Sequence, residues 1–238
     1  MSTHQFKKLS IIIPVYNERK LIPELLAAIR KVQLPYEKEI ILVDDGSTDG
    51  SKEILSALGE GYKVIFLEKN RGKGAAVRRG FKVATGDMAI IQDADLEYAP
   101  SDYPLMIQPI ADGYADVVYG SRFITTHPRR VLYFRHYLAN QLVTFWSNVW
   151  TGLNLSDMET GFKAFTREAL EKIQPHLTAE RFGIEPDITA QIARHKLRIY
   201  EVGITYRGRT YAEGKKIGWK DGVAALWHII RFNIFTRK

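Results

Sequence analysis

The 238-residue chain contains no cysteine. Disulfide frameworks, thiol catalysis and cysteine-ligated zinc are therefore excluded, and the composition suits a reducing cytosol. The first five residues are polar, so we expect no secretion signal. No apolar run approaches the ~18 residues that a membrane-spanning helix needs. These absences lead us to expect a cytoplasmic protein.

Two common phosphate-binding motifs are also missing. The first apolar strand is not followed by G-x-G-x-x-G, so a dinucleotide-binding site of the Rossmann type is excluded. The chain has no G-x-x-x-x-G-K-[ST] sequence, so a P-loop nucleotide hydrolase is excluded as well. A phosphate-bearing ligand would have to be held by a metal ion and carboxylates instead.

Acidic residues are outnumbered, and the formal net charge is +7. An excess of positive charge favours anionic partners such as nucleotides and phospholipid surfaces. Nucleic acid is not an expected partner, because the sequence has no recognition helix, zinc finger or aromatic single-strand platform of the known types.

The first ~120 residues alternate between strand and helix patterns. This alternation predicts an α/β fold with a mainly parallel central sheet and helices on both faces. The predicted strands are 9–13, 39–43, 62–67, 88–92 and 116–119, and the predicted helices are 21–32, 51–58, 73–84 and one that starts near residue 100.

A polar segment follows each predicted strand. Taken alone, each segment is explained by a turn or a helix cap. Together they would lie at the carboxyl edge of the sheet, where open α/β sheets bind ligands. The five segments are 14–18, 44–50, 70–74, 93–97 and 120–122.

The segment Asp93-Ala94-Asp95 is the strongest of these signals. Two carboxylates at the end of a buried strand suit Mg²⁺ or Mn²⁺ bound together with substrate phosphates. An acidic turn is the alternative. At the same edge, Asp44 or Asp45 is suited to accept a hydrogen bond from a base imide N–H, and Tyr16 to flank the base. Arg122 is suited to neutralise a diphosphate.

In order and spacing, segments 13–18, 43–49, 70–74, 93–95 and 120–122 resemble the family-2 glycosyltransferases, in particular the dolichyl- and polyprenyl-phosphate sugar synthases. The resemblance implies a GT-A nucleotide-diphospho-sugar transferase fold and an inverting transfer. It also implies Mg²⁺ or Mn²⁺ on Asp93 and Asp95, with Glu97 as a further ligand. The implied donor-binding residues are Pro14, Tyr16, Glu18, Asp44, Asp45, Arg71, Lys73 and Asp93.

The second half resembles the acceptor side of the same family. Residues 157–162 are similar to its D-x-x-T-G-F segment, and 207–216 to its R-x-x-x-E-S-K loop, with Gly214 in the serine position. A polyprenyl phosphate is already an anion, so cations would matter more than a general base. We expect Asp95, Arg122 and Arg209 to act in catalysis. The expected acceptor residues are Arg129, Arg130, Arg135, Asp157, Glu159, Thr160, Lys215 and Lys216; a solvated basic face is the alternative for the arginines.

Two apolar helical stripes complete the pattern. We interpret the first as a core helix; it contains Leu138, Leu142, Phe145, Trp146, Val149 and Trp150. The second lies in 219–235 and contains Val223, Leu226, Trp227, Ile230 and Ile234. This helix is amphipathic and has basic flanks, so packing on its own domain, contact with a membrane interface and docking on a partner helix all stay open.

The sequence therefore predicts one GT-A domain over 1–212, with a donor half (1–122) and an acceptor half (123–212), and then a basic loop and amphipathic helix (213–238). We expect it to move a hexose, first of all mannose, from a GDP- or UDP-sugar to a polyprenyl phosphate, peripherally on the cytosolic face of a membrane or with a separate membrane subunit. One alternative is transfer to a soluble or glycan hydroxyl, with Asp157, Glu159 or Asp187 as base. The other is a non-catalytic nucleotide-sugar-binding subunit.

Overall fold

The computed structural model describes residues 6–124, 130, 131, 133–208 and 219–235. Elements are numbered along the chain. The strands are β1 (Lys8–Val15), β2 (Glu37–Asp44), β3 (Tyr62–Phe66), β4 (Met88–Ile91), β5 (Val117–Ser121), β6 (Lys163–Thr166) and β7 (Ile199–Gly203). The helices are α1 (Ile22–Lys31), α2 (Ser51–Ser56), α3 (Lys73–Val83), α4 (Tyr103–Ala111), α5 (Phe134–Thr151), α6 (Arg167–Ile173), α7 (Ile184–Arg194) and α8 (Trp219–Ile230), the last continued by a π-helical turn (Arg231–Phe235).

The strands form one sheet in the order β3-β2-β1-β4-β6-β5-β7. All neighbouring pairs are parallel except those of β6, which runs antiparallel to both β4 and β5. The prediction of a mainly parallel α/β sheet is confirmed, and all five predicted strands are present. The pattern analysis did not predict β6 or β7.

The sheet is buried on both faces, which explains the uninterrupted apolar strands. In β1, Ile11 and Ile13 pack into one core layer with α1 and α4, while Ile12 between them packs into the other layer with α3, α6 and α7. Successive side chains of a strand point to opposite faces, so an all-isoleucine run serves both layers at once.

The two halves of the chain share this sheet. Strand β6 comes later in the chain than β4 and β5, yet it lies between them, where Ala89 pairs with Phe165 and Val118 with Ala164. Because β6 runs against its neighbours, the residues that lead into it lie at the carboxyl edge of the other six strands.

The interpretation of the first apolar stripe as a core helix was wrong. The stripe forms α5, but all six of its large apolar side chains are exposed, for example Phe145 at 57% and Val149 at 55%. The buried side of α5 is formed by Val143, Thr144 and Ser147 instead. Small polar side chains lie inward because they make hydrogen bonds there.

The second stripe is also largely on the surface. Trp227 is 55% exposed, and Ile230 and Ile234 are partly exposed, while Ala225, Ile229 and Phe232 form the buried side. The side chain of Val223 lies outside the described residues. Over the parts of the chain that the structure describes, no helix is both long enough and apolar enough to cross a bilayer.

Candidate active site

The polar segments that the sequence places after β1 to β5 all lie at the carboxyl edge of the sheet. Pro14 is within β1, Asp44 is the last residue of β2, and Arg122 directly follows β5. The first two segments are joined to each other, because the Asn17 amide donates to Ser47 Oγ (3.0 Å) and the Thr48 amide to Asn17 Oδ1 (2.8 Å). Tyr16 is exposed next to this junction.

Asp44 and Asp45 are both buried but differ in what they bind. Asp45 accepts hydrogen bonds from the amides of Arg71 (2.8 Å) and Gly72 (2.7 Å), so it fixes the loop that begins α3. Asp44 accepts from the Ser47 amide through Oδ2, while its Oδ1 is buried without a hydrogen-bond partner. Of the two, Asp44 is the one with a carboxylate oxygen that lacks a hydrogen-bond partner among the described residues.

The start of α3 depends on Gly72, whose φ of +97° is in the region that favours glycine. Lys73 then becomes the first residue of the helix. The guanidinium of Arg71 forms an ion pair with Glu180. A cavity of about 670 Å³ opens beside this loop and is lined in part by Phe66, Arg71 and Arg181.

Asp93 is paired with a cation. Lys73 Nζ lies 2.8 Å from Asp93 Oδ1 and 3.0 Å from Glu185 Oε1. Burial opposes the charge on Lys73, but the two carboxylates outweigh burial and raise the pKa of its amine. Gly161 packs directly against this pair: a Cβ there would lie 2.4 Å from Asp93 Oδ2. The glycine therefore gives Asp93 and Lys73 the room that they occupy.

Asp95 and Glu97 belong to one tight turn. Leu96 between them has a φ of +61°, and the Glu97 amide donates to Asp95 Oδ1 (3.1 Å). The Tyr206 hydroxyl donates to Glu97 Oε2 (2.7 Å). Both acidic side chains are only partly buried, so they face the solvent side of the edge.

Three successive carboxylates on this turn offer the oxygen donors that Mg²⁺ and Mn²⁺ prefer. Within 6–124, 130, 131, 133–208 and 219–235, however, no three acidic or histidine residues are placed to hold a metal ion by themselves. The residues thus fit an ion that takes one or two carboxylates and completes its shell with phosphate oxygens and water.

Arg122, directly after β5, and Asp157, in the segment before β6, form a buried ion pair. Arg122 donates from Nε and Nη2 to the two carboxylate oxygens, each at 2.6 Å, and its amide donates to Oδ2 at 3.0 Å. Burial acts against the charge, but Asp157 outweighs burial and raises the pKa of Arg122. The guanidinium also lies over the Tyr206 ring, 5.4 Å from its centroid. This geometry places the predicted diphosphate-binding arginine against a carboxylate, not in open solvent.

Glu201 holds the backbone of the segment that contains Asp157. Its carboxylate accepts hydrogen bonds from the amides of Ser156 (2.9 Å) and Asp157 (3.3 Å). Helix α5 supports the same segment from the side, because Asn140 Nδ2 donates to Asp157 Oδ1 (3.4 Å) and the Met158 amide donates to Thr144 Oγ1 (3.2 Å). Residues 156–158 are therefore held from two directions.

Glu159 and Lys163 are buried ionisable groups beneath the edge. Burial, together with the nearby Glu185 carboxylate, raises the pKa of Glu159 to about 8. Burial likewise lowers the pKa of Lys163 to about 8. Oε1 of Glu159 is buried without a hydrogen-bond partner, whereas Lys163 donates to the carbonyls of Met158 and Thr160. Thr160 itself is buried and donates to the Gly120 carbonyl (2.7 Å).

Of the predicted basic acceptor residues, the structure describes Arg130 and Arg135. Arg130 is exposed and donates to the Gly208 carbonyl (2.7 Å), and Arg135 is exposed in the first turn of α5. The remaining members, Arg129, Arg209, Lys215 and Lys216, lie outside the described residues.

Sequence reasoning missed two residues that shape the site. Tyr98 stacks on Phe162 with centroids 5.4 Å apart, and its hydroxyl accepts a hydrogen bond from the Gly161 amide (3.0 Å). Lys163 lies under the Tyr119 ring at 4.5 Å. A single tyrosine after an acidic turn carries no periodic signal. The lysine at the start of β6 does give a signal in the sequence, because a lysine among the apolar residues of a strand indicates buried hydrogen-bond or charge partners.

Comparison with known proteins identifies the family. The family model described as glycosyl transferase family 2 matches residues 10–174. The chain belongs to this family. The match includes every segment of the carboxyl edge, from the loop after β1 to the 157–162 segment.

Curated relatives of this family 2 chain cover most of its length. The undecaprenyl-phosphate 4-deoxy-4-formamido-L-arabinose transferase of Aeromonas hydrophila is 33% identical over 221 residues, which are 90% of this chain and 64% of the relative. The dolichol-phosphate mannosyltransferase of Pyrococcus furiosus is 30% identical over 214 residues, 88% of this chain and 60% of the relative. The chain thus spans less than two thirds of the length of these relatives.

A solved structure with the same fold is glucosyl-3-phosphoglycerate synthase from Mycobacterium tuberculosis in complex with Mn²⁺, uridine diphosphate and glucosyl-3-phosphoglycerate. It superposes with a TM-score of 0.72 at 19% identity and covers 97% of this chain and 80% of the other. This likeness, together with the sheet order, establishes the GT-A type of fold.

Proposed function

We propose that this chain is an inverting, metal-dependent glycosyltransferase that moves a hexose from a nucleoside diphosphate sugar to a polyprenyl phosphate. The observation that carries the proposal is the carboxylate-lined edge, where Asp44 ends β2 and Asp93 and Asp95 follow β4, on the two sides of β1. The two relatives above, both named for transfer to a polyprenyl phosphate, support the acceptor class.

The donor would bind with its base near Tyr16 and its imide N–H on Asp44 Oδ1, the buried oxygen that has no hydrogen-bond partner. An imide N–H is present in guanine and in uracil, so this contact serves a GDP-sugar or a UDP-sugar. Asp45 would contribute to donor binding indirectly, because its oxygens accept hydrogen bonds from the loop that precedes Lys73. Mannose is our first expectation for the sugar.

Asp93 and Asp95, with Glu97 beside them, would hold Mg²⁺ or Mn²⁺, which would supply positive charge to the diphosphate oxygens. Lys73 keeps a fixed positive charge at Asp93 from the protein itself. Arg122 adds a second fixed charge, and the bidentate contact with Asp157 keeps its planar group in one orientation.

In the transfer, a phosphate oxygen of the acceptor attacks the anomeric carbon from the side opposite the nucleotide. The new carbon–oxygen bond forms as the bond to the nucleoside diphosphate breaks, and both electrons of that bond leave with the diphosphate. The attacking oxygen is already an anion, so no side chain has to remove a proton. Inversion at the anomeric carbon follows from this single displacement.

A hydroxyl acceptor is the second candidate, and it would need a base. Asp157 is committed to Arg122, and Asp187 accepts hydrogen bonds from the amides of Thr178 and Ala179 (2.7 and 2.9 Å). Glu159 and Asp187 are the carboxylates that remain for this role, since Glu159 Oε1 and Asp187 Oδ1 are buried without a hydrogen-bond partner among the described residues. Burial raises the pKa of both groups, that of Glu159 to about 8.

The test is transfer from radiolabelled GDP-mannose, UDP-glucose and related donors to a polyprenyl phosphate, with product extracted into organic solvent. Label in the organic phase that requires Mg²⁺ or Mn²⁺ and is lost in Asp95→Ala supports the proposal. Label that stays in water as a glycan supports the hydroxyl acceptor. A folded Asp95→Ala variant with near-wild-type turnover would refute the mechanism.

We further propose that the chain works at the cytosolic face of a membrane, where a polyprenyl phosphate is found. A thermal-shift panel of nucleoside diphosphates and their sugars, with Mn²⁺ and with chelator, identifies the base independently of turnover. A ligand that binds only the folded state raises the melting temperature.

A further inference from the structure

Helix α5 exposes its large apolar side chains to solvent, and its buried side includes polar residues. Its apolar side chains, among them Leu138, Leu142, Phe145 and Val149, recur at helical spacing along the side that faces away from the sheet. Its inward side makes hydrogen bonds: Asn148 Nδ2 donates to the Leu155 carbonyl (2.8 Å), and the Leu155 amide donates to Asn148 Oδ1 (3.1 Å). The outward residues are therefore not needed to attach the helix to the domain.

Helix α8 packs against α5, and it and the turn after it have exposed apolar side chains of their own. We call the combined face the α5–α8 surface. It consists of Leu138, Leu142, Phe145, Trp146, Val149 and Trp150 on α5 with Trp227, Ile230, Ile234 and Phe235 after them.

The α5–α8 surface is too large for a chance exposure. Each of these side chains is roughly half exposed. A half-exposed side chain of this size leaves about 100 Å² open to water. The whole face then amounts to roughly 1,000 Å², whereas soluble monomers rarely expose more than about 300–600 Å² of contiguous apolar surface. A surface of this extent needs an apolar partner.

Charge indicates which partner. Helix α5 contains no Asp or Glu, and residues 219–238 contain a single acid, Asp221. Exposed arginines flank the surface instead, with Arg130 and Arg135 before and within the first turn of α5. A face with aromatic and aliphatic groups at its centre and cations at its rim matches an anionic lipid interface. A second copy of the same face would bring cations against cations.

The position of the surface fits the same partner. On its inward side α5 contacts the site through Asn140 and Asp157 and through Thr144 and Met158. The apolar face is thus one helix diameter, about 10 Å, from the Arg122–Asp157 pair. A phosphate at the level of lipid headgroups would be within reach of that pair.

We propose that the α5–α8 surface is a docking face for an anionic phospholipid bilayer. The helices lie in the interface with Phe145, Trp146, Val149 and Trp227 turned toward the acyl chains. The purpose of this docking, delivery of a lipid acceptor, rests on the proposed function, but the docking itself does not.

The experiment is flotation of the protein with vesicles of phosphatidylcholine containing about 30% phosphatidylglycerol. Wild type is expected to float with these vesicles and to bind pure phosphatidylcholine more weakly. Because each buried apolar side chain contributes substantially to partitioning, Phe145→Ser/Val149→Ser is expected to reduce binding at least about tenfold. The matched control pair is Leu142→Ser and Leu105→Ser, at leucines that are 49% and 40% exposed. Leu142→Ser is expected to reduce binding, whereas Leu105→Ser, in α4 on the other side of the sheet, is expected not to.

Several outcomes would overturn the proposal. One is equal flotation of wild type and Phe145→Ser/Val149→Ser. Another is a wild-type protein that ignores vesicles and forms a dimer by light scattering that the double variant dissociates, which would assign the surface to a second copy. Each variant must keep the wild-type melting temperature to count, and the exposed positions make this the expectation.

Transfer to a short, water-soluble prenyl phosphate separates docking from catalysis. If both proposals hold, the double variant retains turnover with the soluble acceptor and loses it with acceptor embedded in vesicles. Vesicle binding that depends on Phe145 and Val149 without any turnover in wild type would refute the proposed function and leave the docking face standing.

Discussion

Replacing Gly161 by alanine tests the tight packing around Asp93. A Cβ at this position would lie 2.4 Å from Asp93 Oδ2 and 2.6 Å from Lys73 Nζ, whereas ordinary contacts begin at 3.4 Å. Both atoms are ends of side chains, but they belong to one ion pair that also includes Glu185, so neither can move aside without disturbing that pair. Asp93 must therefore move by about 1 Å, a displacement that in active sites costs on the order of 100-fold in rate.

The stability effect can be estimated too. Overpacking of a close contact costs about 1–3 kcal/mol. For a chain of this length each kcal/mol lowers the melting temperature by about 2–4 °C, so Gly161→Ala should melt about 2–12 °C below wild type. Differential scanning fluorimetry and the radiolabel transfer assay measure the two effects.

Gly59→Ala is the matched control, because nothing lies within 4 Å of a Cβ added there. It should keep both turnover and melting temperature. If Gly161→Ala shows turnover within about threefold of wild type, then the contact among Gly161, Asp93 and Lys73 does not matter for the site, and the reasoning above is refuted.

Three further changes follow from contacts described above. Asp157→Asn removes the negative charge that pairs with the buried Arg122, so we expect the free energy of unfolding in urea to fall by about 3–5 kcal/mol. The control is Asp116→Asn, whose arginine partner is exposed, and it should lower the same free energy by less than about 1 kcal/mol. Because the pKa of Glu159 is raised in the folded state, the folded protein keeps a proton that the unfolded chain releases, so stability should fall as pH rises from about 5 to 8. Glu159→Gln should flatten this part of the profile of melting temperature against pH. An unchanged profile would contradict the assignment. Thr166→Ala removes the side chain that caps α6 and should cost about 1 kcal/mol in the same urea titration; a loss below about 0.3 kcal/mol would mean that the cap is not needed.

The sequence predicts β1 to β5 because each contains several apolar residues and is followed by a polar turn. Strands β6 and β7 lack such signals. Strand β6 has four residues and begins with Lys163, and β7 is only partly buried, so neither has the pattern of a central strand. Their place in the sheet comes from partners distant in the chain.

Helix α5 shows a different limit. The helical spacing of its apolar residues is plain in the sequence, but spacing does not say which way a stripe faces. Thr144 and Ser147 face inward because Thr144 accepts from the Met158 amide, and that amide is about a dozen residues away along the chain. Adjacent aspartates pose the same difficulty. Asp44 and Asp45 have the same side chain, and only the observed hydrogen bonds distinguish their roles. Asp45 holds the loop before α3, whereas Asp44 keeps one carboxylate oxygen without a hydrogen-bond partner among the described residues.

The inserted strand β6 has a consequence for how the chain is made. Among the described residues, β5 pairs only with β6 and β7, both of which come later in the sequence. A nascent chain that has been synthesised as far as residue 160 has four strands that can pair with one another and a fifth, β5, with no neighbour. Its apolar edge would remain open until the ribosome has delivered Thr166. Synthesis of the last third of the chain is thus the step that closes the sheet, and a ribosome stalled before it would hold a species prone to aggregate.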